Sequence, residues 1–308
     1  EKLLEDISIK FIGERGIDAG GLTREWFSEL TKSLFNQNYC LFDCSLNKRS
    51  YQPSHLSFIN QYHLEYFKFA GKFIARAIIQ GQCIEAHFAK AFWKNIFDQE
   101  LNMKDIEDVD VELYRSFVWM LENDVDSLEM DFTVTADELG EVKVIPLKKN
   151  GQNILLTNEN KKEFIQLKTN YILKKRIKAQ IKAFREGFFS LIPKNEIEIF
   201  TPNEIDLLIC GIPEIDPKDF LENIEFCYPL NKNSSLAKMF CNVVSKWDSE
   251  KIAKLLLFMT GSSGIPVGGF KEFCLMSKSS LKIELSGDSK HLPQSHTCFN
   301  TLCIPSYD

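Results

Sequence analysis

Apolar residues recur first at the period of a helix and later at the period of a strand. In Thr23–Phe35 the apolar positions Trp26, Phe27, Leu30, Leu34 and Phe35 fall on one helical face. Leu64–Ile79 and Phe88–Phe97 repeat that pattern. The texture changes near residue 103. Leu128, Met130, Phe132 and Val134 alternate with Glu129, Asp131 and Thr133, which predicts a half-buried strand. Val142–Leu147 and Asn153–Leu156 predict further strands, with Asn150-Gly151 as a tight hairpin turn between them. A long helix is predicted from Asn158 to Phe189. Thr201-Pro202-Asn203-Glu204 opens another, with Thr as N-cap, Pro in the first turn and Glu closing a capping box, and Gly211 stops it. Between Asn223 and Ser235 the pattern breaks, and Pro, Asn and Ser cluster around Cys227, Tyr228, Pro229 and Leu230. This predicts a domain boundary or hinge. Two helices follow, up to Gly261, then strands at Leu281–Leu285 and Cys298–Ile304.

Composition narrows the class. A chain of 308 residues, 44% hydrophobic and 26% charged, suits one large or two modest globular domains. The apolar runs are too short to span a bilayer. The chain opens with Glu1-Lys2, without Met or a secretory leader, and reads as a piece of a larger cytoplasmic protein, with the nucleus also open. A net charge of -6 argues against nucleic acid as the main partner. The basic side of the helix after Asn158, including Lys174, Lys175 and Arg176, is read as a solvated face.

Few motifs carry chemistry. The loop Gly261–Gly269 lacks the Gly-Lys-Ser/Thr ending of a phosphate cradle and reads as a tight turn. His291, His296, Cys298 and Cys303 cluster in sequence, but their spacing does not fit a zinc site. His296 and Cys298 would share one face of a strand, yet no familiar protease signature surrounds them. Of nine cysteines, most sit in apolar stretches suited to core filling, as Cys210 and Cys241 do. Cys298 differs: it stands in Ser295-His296-Thr297-Cys298-Phe299-Asn300, after the loop of Pro293. A polar, partly exposed setting favours the nucleophilic thiolate, so Cys298 is the candidate nucleophile.

The string Leu292-Pro293-Gln294-Ser295-His296-Thr297-Cys298-Phe299-Asn300 closely resembles the active-site signature of HECT-type ubiquitin-protein ligases. Asp18-Ala19-Gly20-Gly21-Leu22-Thr23-Arg24-Glu25-Trp26-Phe27 resembles the N-terminal motif of that family. Gly71–Ile78, Thr157–Phe164, Ala183–Phe188, Leu207–Gly211, Phe258–Gly261 and Pro266–Phe270 continue the series in order. The helix from Asn158 looks most like the branch containing the E6-associated protein.

The resemblance implies an α+β, bilobal fold. A mainly helical N-lobe would span residues 1–226, with a small mixed subdomain near 103–175 that docks a ubiquitin-conjugating enzyme. Residues 227–230 would be the hinge and 231–308 an α/β C-lobe. Cys298 would accept ubiquitin from the charged conjugating enzyme as a thioester and pass it to a lysine of a protein substrate. No metal, nucleotide or other cofactor is implied. His296 and Thr297 would either orient the thiolate or thioester carbonyl, or only hydrogen-bond the loop. Phe299 and Asn300 read as structural and Cys303 as packing. The groove for the conjugating enzyme would map onto Phe117, Leu128, Met130 and Phe164, although alternation alone places Leu128 and Met130 in a core. A helix and an apolar tail would follow the catalytic Cys, beyond Asp308. A HECT-like interaction module without chemistry is the alternative, and the intact motif around Cys298 argues against it.

Overall fold

The computed structural model describes residues 7–13, 20–45, 50–287 and 289–307, so Asp18 and Ala19 of the N-terminal motif lie outside the described residues. The fold is α+β. The helices, in chain order, are α1 (Gly21–Leu34), α2 (His63–Ile79), α3 (Lys90–Ile96), α4 (Val111–Glu122), α5 (Lys161–Leu173), α6 (Lys178–Phe188), α7 (Lys194–Ile197), α8 (Pro202–Cys210), α9 (Pro217–Glu222), α10 (Ser235–Val244), α11 (Ser249–Thr260) and α12 (Gly269–Ser277). The strands are β1 (Phe42–Cys44), β2 (Tyr51–Pro53), β3 (Thr133–Glu138), β4 (Glu141–Pro146), β5 (Ile224–Phe226), β6 (Leu281–Ser286), β7 (Gln294–His296) and β8 (Thr301–Pro305). The chain forms two compact units, one of residues 34–73 and 87–202, the other of residues 1–33, 74–86 and 203–308. Among the described residues, no helix is long and apolar enough to cross a membrane.

The first unit is dominated by aromatic packing. Trp93 lies near Phe88, Phe92, Phe184 and Phe188, with ring centroids 5.1–6.3 Å apart. Helices α2 and α6 cross here at backbone distance. A Cβ placed on Gly71 would run into the Phe184 carbonyl, and one on Gly187 into the Lys68 carbonyl. Only glycine permits this approach. A second core, which includes Ile106, Phe117, Phe132, Phe164 and Leu173, gathers the region between residues 91 and 173.

Four expectations are corrected in this unit. Asn153–Leu156 forms no strand, only an isolated bridge from Leu155 to Asp131. The first predicted strand starts later, at Thr133, because Glu129 takes a left-handed conformation (φ 49°) that ends any extended run through Leu128. The hairpin turn is Leu139-Gly140, between β3 and β4, rather than Asn150-Gly151. Asn150 takes the left-handed conformation and leads into a 3-10 turn, Gly151–Asn153. Gly151 is needed for another reason: a Cβ there would meet the Phe132 carbonyl. The long helix from Asn158 is two helices, broken at Lys174, where φ is -130°.

The second unit holds a four-stranded sheet of order β5-β6-β8-β7, parallel except for the antiparallel pair β7–β8. Strand β8 is buried along its whole length, as expected of an internal apolar strand. Leu281, Ile283, Leu302 and Ile304 project into a core with Leu256, Met259 and Phe270. Because β5 pairs with β6, the sheet reaches upstream of the Cys227–Leu230 segment. Helix α8 runs from Pro202 to Cys210, and α11 ends on Gly261, whose φ of 80° suits only a residue free of the Cβ penalty.

Candidate active site around Cys298

Cys298 lies in a 3-10 turn, Thr297–Phe299, that joins β7 to β8. The predicted strand through Cys298 therefore begins later, at Thr301, and the idea that His296 and Cys298 share a strand face fails. His296 ends β7, exposed to solvent, and its ring does not cap the turn. Thr297 is held through its carbonyl, which accepts hydrogen bonds from the Asn300 N–H (3.3 Å) and from Arg24 (2.7 Å). Phe299 is exposed, and Cys303 is buried within β8.

The turn is fastened by Asn300. It takes a left-handed conformation (φ 52°), which Asn tolerates better than most residues. Its side chain is fully buried and uses both of its polar atoms. The Nδ2 donates to Ser277 Oγ and to the Ser279 carbonyl, each at 3.1 Å, and Oδ1 accepts from Arg24 Nη2 at 2.9 Å. Arg24, on the first turn of α1, also donates from Nε to the Thr260 carbonyl at 2.6 Å. Arg24 is 6% exposed, and its guanidinium thus ties the end of α11 to both ends of the Cys298 turn. The start of α1 lies against the cysteine itself. A Cβ on Gly21 would fall 2.8 Å from Cys298 Sγ and 2.9 Å from its Cα and N.

Burial quiets six of the other thiols. Burial pushes Cys83 up to about 12 and raises Cys210 further. Burial also raises Cys227, Cys241, Cys274 and Cys303, with the Glu284 charge adding at Cys227 and Cys303. These groups stay protonated near neutrality. Among the described residues, His291, His296, Cys298 and Cys303 do not bring their ligand atoms together as a metal would require.

The residues proposed for partner docking divide. Phe117 and Phe164 have no exposed surface; Phe164 meets Phe132 edge-on, and the Lys168 ammonium lies 5.9 and 5.5 Å from the Phe117 and Phe164 ring centroids. They are core residues here, because a side chain without accessible surface cannot meet a partner while the fold stays closed. Met130 is partly buried against the same core, whereas Leu128 is 38% exposed. Of the proposed hinge residues, Tyr228 is almost wholly exposed and Leu230 is anchored in the core of the sheet. Gly21 and Arg24 stand in the N-terminal motif and Asn300 beside Cys298 in the sequence, but no local pattern marks them as the residues that hold the Cys298 turn.

A family model described as HECT-domain (ubiquitin-transferase) matches residues 28–308. Among similar proteins is the "E3 ubiquitin-protein ligase TOM1-like" of Neurospora crassa, 42% identical over 98% of this chain and 8% of the relative. The "E3 ubiquitin-protein ligase pub1" of Schizosaccharomyces pombe is 42% identical over 99% of this chain and 40% of the relative. The "E3 ubiquitin-protein ligase RSP5" of Saccharomyces cerevisiae is 39% identical over 100% of this chain and 38% of the relative. The chain thus spans between less than a tenth and two-fifths of the length of these relatives.

Proposed function

Since this chain belongs to the HECT-domain (ubiquitin-transferase) family, we propose that it is the catalytic portion of a ubiquitin-protein ligase with Cys298 as the acceptor. The Cys298 thiolate attacks the carbonyl carbon of the thioester that links ubiquitin to a conjugating enzyme. The enzyme's thiolate leaves, and ubiquitin becomes bound to Cys298. A substrate lysine amine then attacks the new thioester, loses a proton and forms an isopeptide bond, and the Cys298 thiolate is expelled. Thioester exchange suits cysteine because thiolate is both nucleophile and leaving group. The single observation that carries this reading is a half-buried Cys298, in a hydrogen-bonded turn, within a family match that runs to the end of the chain.

In this reading residues 1–226 receive the conjugating enzyme, 227–230 allow movement and 231–308 present Cys298. A separate core between Ile106 and Leu173 supports a small subdomain at 103–175, and Leu128 is its available anchor. His296 stands in solvent beside the turn, where a role with the thioester is open to it. An apolar groove beside Tyr307, lined by Met239, Val243, Trp247 and Leu292, fits an apolar tail lying on this part. The net charge of -6 supports protein rather than nucleic-acid partners.

The test is a thioester assay with charged conjugating enzyme and labelled ubiquitin. An adduct on this chain that reductant removes is expected. Its absence, with the conjugating enzyme fully charged, would support a non-catalytic module instead.

A further inference from the structure

The thiol of Cys298 is closed on one side. A Cβ on Gly21 would fall 2.8 Å from its Sγ and 2.9 Å from its Cα and N. Cys298 is half-buried, so a reacting group reaches the sulfur from the side that α1 leaves open. The next residue, Phe299, stands in solvent with 61% of its surface exposed. Its backbone is nonetheless fixed. The Phe299 carbonyl accepts hydrogen bonds from Ser279 Oγ at 3.2 Å and from Thr301 Oγ1 at 3.1 Å, and Asn300 after it is fully buried. An exposed apolar side chain is ordinary by itself. Phe299 is set apart by its place, directly after the nucleophile on a turn held at Thr297 and Asn300.

This place restricts what the ring can meet. A carbonyl carbon about to be attacked lies about 3–3.5 Å from the sulfur, and successive Cα atoms are about 3.8 Å apart. The groups flanking that carbon therefore pass within reach of the Phe299 ring. Two groups flank a thioester carbon, the acyl chain and the leaving sulfur. The leaving sulfur departs with the conjugating enzyme in the first step, whereas the acyl chain stays on Cys298 until a lysine amine takes it. We propose that Phe299 is a specificity-determining residue of the transfer: its ring packs on the peptide segment of ubiquitin that ends in the thioester carbonyl and holds that carbon at Cys298 Sγ. This rests on the acceptor reading above.

The full 308-residue chain is compared with its Phe299→Ala and Phe299→Leu variants in single-turnover loading. Two donors are used: a charged conjugating enzyme, and ubiquitin whose terminal carboxyl is a thioester of mercaptoethanesulfonate. With the second donor the Cys298 thiolate attacks the same acyl carbon and the small thiolate leaves, without any conjugating enzyme. Phe299→Ala should load several-fold more slowly from both donors, and Phe299→Leu, which keeps an apolar side chain, should recover part of the rate. The urea unfolding midpoint and the rate at which iodoacetamide alkylates Cys298 should match the parent's, because neither involves the acyl segment. Equal loading of Phe299→Ala and parent from both donors overturns the proposal. A defect confined to the charged enzyme also overturns it, by placing the ring against that enzyme. So does a matching fall in alkylation, which puts the effect in the thiol, or a lowered midpoint, which returns the ring to a structural role. A parent that loads from neither donor refutes the acceptor reading itself, and the proposal with it.

Discussion

The ring of Phe164 meets that of Phe132 edge-on, at 5.4 Å between centroids and 87° between planes, and neither ring is accessible to solvent. This pair is the centre of a core. Phe164→Ala should cost about 3–5 kcal/mol of folding stability, the range for emptying a buried aromatic site. Urea unfolding of parent and variant measures it. Leu128→Ala, on the surface, should shift stability by about 0.5 kcal/mol or less, yet weaken binding of a conjugating enzyme by about 1 kcal/mol or more if Leu128 anchors that partner. Equal binding of parent and Leu128→Ala would remove Leu128 from the interface.

Cys298→Ala should abolish the reductant-sensitive ubiquitin adduct, and Cys298→Ser should leave at most a reductant-resistant ester. Cys303→Ala should keep the adduct, because Cys303 is buried inside β8. The opposite pattern in a gel run with and without reductant would move the acceptor to Cys303.

The glycine pair in the first unit should not tolerate a methyl group. Gly71→Ala and Gly187→Ala each drive a Cβ into a backbone carbonyl, which cannot rotate away as a side chain could. Overpacking of this kind costs about 1–3 kcal/mol. Thermal unfolding should show both variants melting lower than the parent, and a melting point equal to the parent's would mean that α2 and α6 can move apart freely.

Asp98 should make acid stability depend on one ion pair. Its carboxylate takes hydrogen bonds from both terminal nitrogens of Arg185, with Lys194 nearby, and these hold its pKa down to about 2. The folded value lies below the unfolded value of about 4. The pair's contribution is therefore fully present above pH ~4 and is lost as pH falls from ~4 to ~2. The carboxylate is half exposed, so screening limits the effect to about 1 kcal/mol. Asp98→Asn should be less stable than the parent at pH 6, and the difference should shrink near pH 2 when both are unfolded by urea. A difference that stays constant across this range would rule out the ion pair as its source.

Much of the fold was legible because its signals are local. The apolar spacing in α1 and α2 marks the buried faces, and the glycines after α8 and α11 stop those helices where expected. The alternation from Leu128 to Val134 misled because periodicity does not register the left-handed Glu129. The break at Lys174 is likewise a backbone change inside a stretch of good helix formers. Cys298 was legible through its polar neighbours, but the geometry around it was not. Gly21 and Arg24 stand more than 270 residues before the turn that they hold, and no local pattern reports such a meeting. Phe117 and Phe164 show the converse: apolar residues suited to a docking surface look the same in sequence as residues that fill a core.

The second unit is discontinuous, and this sets an order of assembly during synthesis. Residues 87–202 of the first unit leave the ribosome in one stretch, and their main contacts lie among themselves and with residues 34–73, already made. That unit can fold while translation continues. Helix α1 is made earlier still, yet Arg24 donates to oxygens of Thr260, Thr297 and Asn300, 236 to 276 residues downstream. Those bonds cannot form until residues 260–300 have been made. The hydrogen bonds that fasten the Cys298 turn are therefore among the last that a nascent chain can make, and a chain halted before β8 would carry a folded first unit and no assembled site.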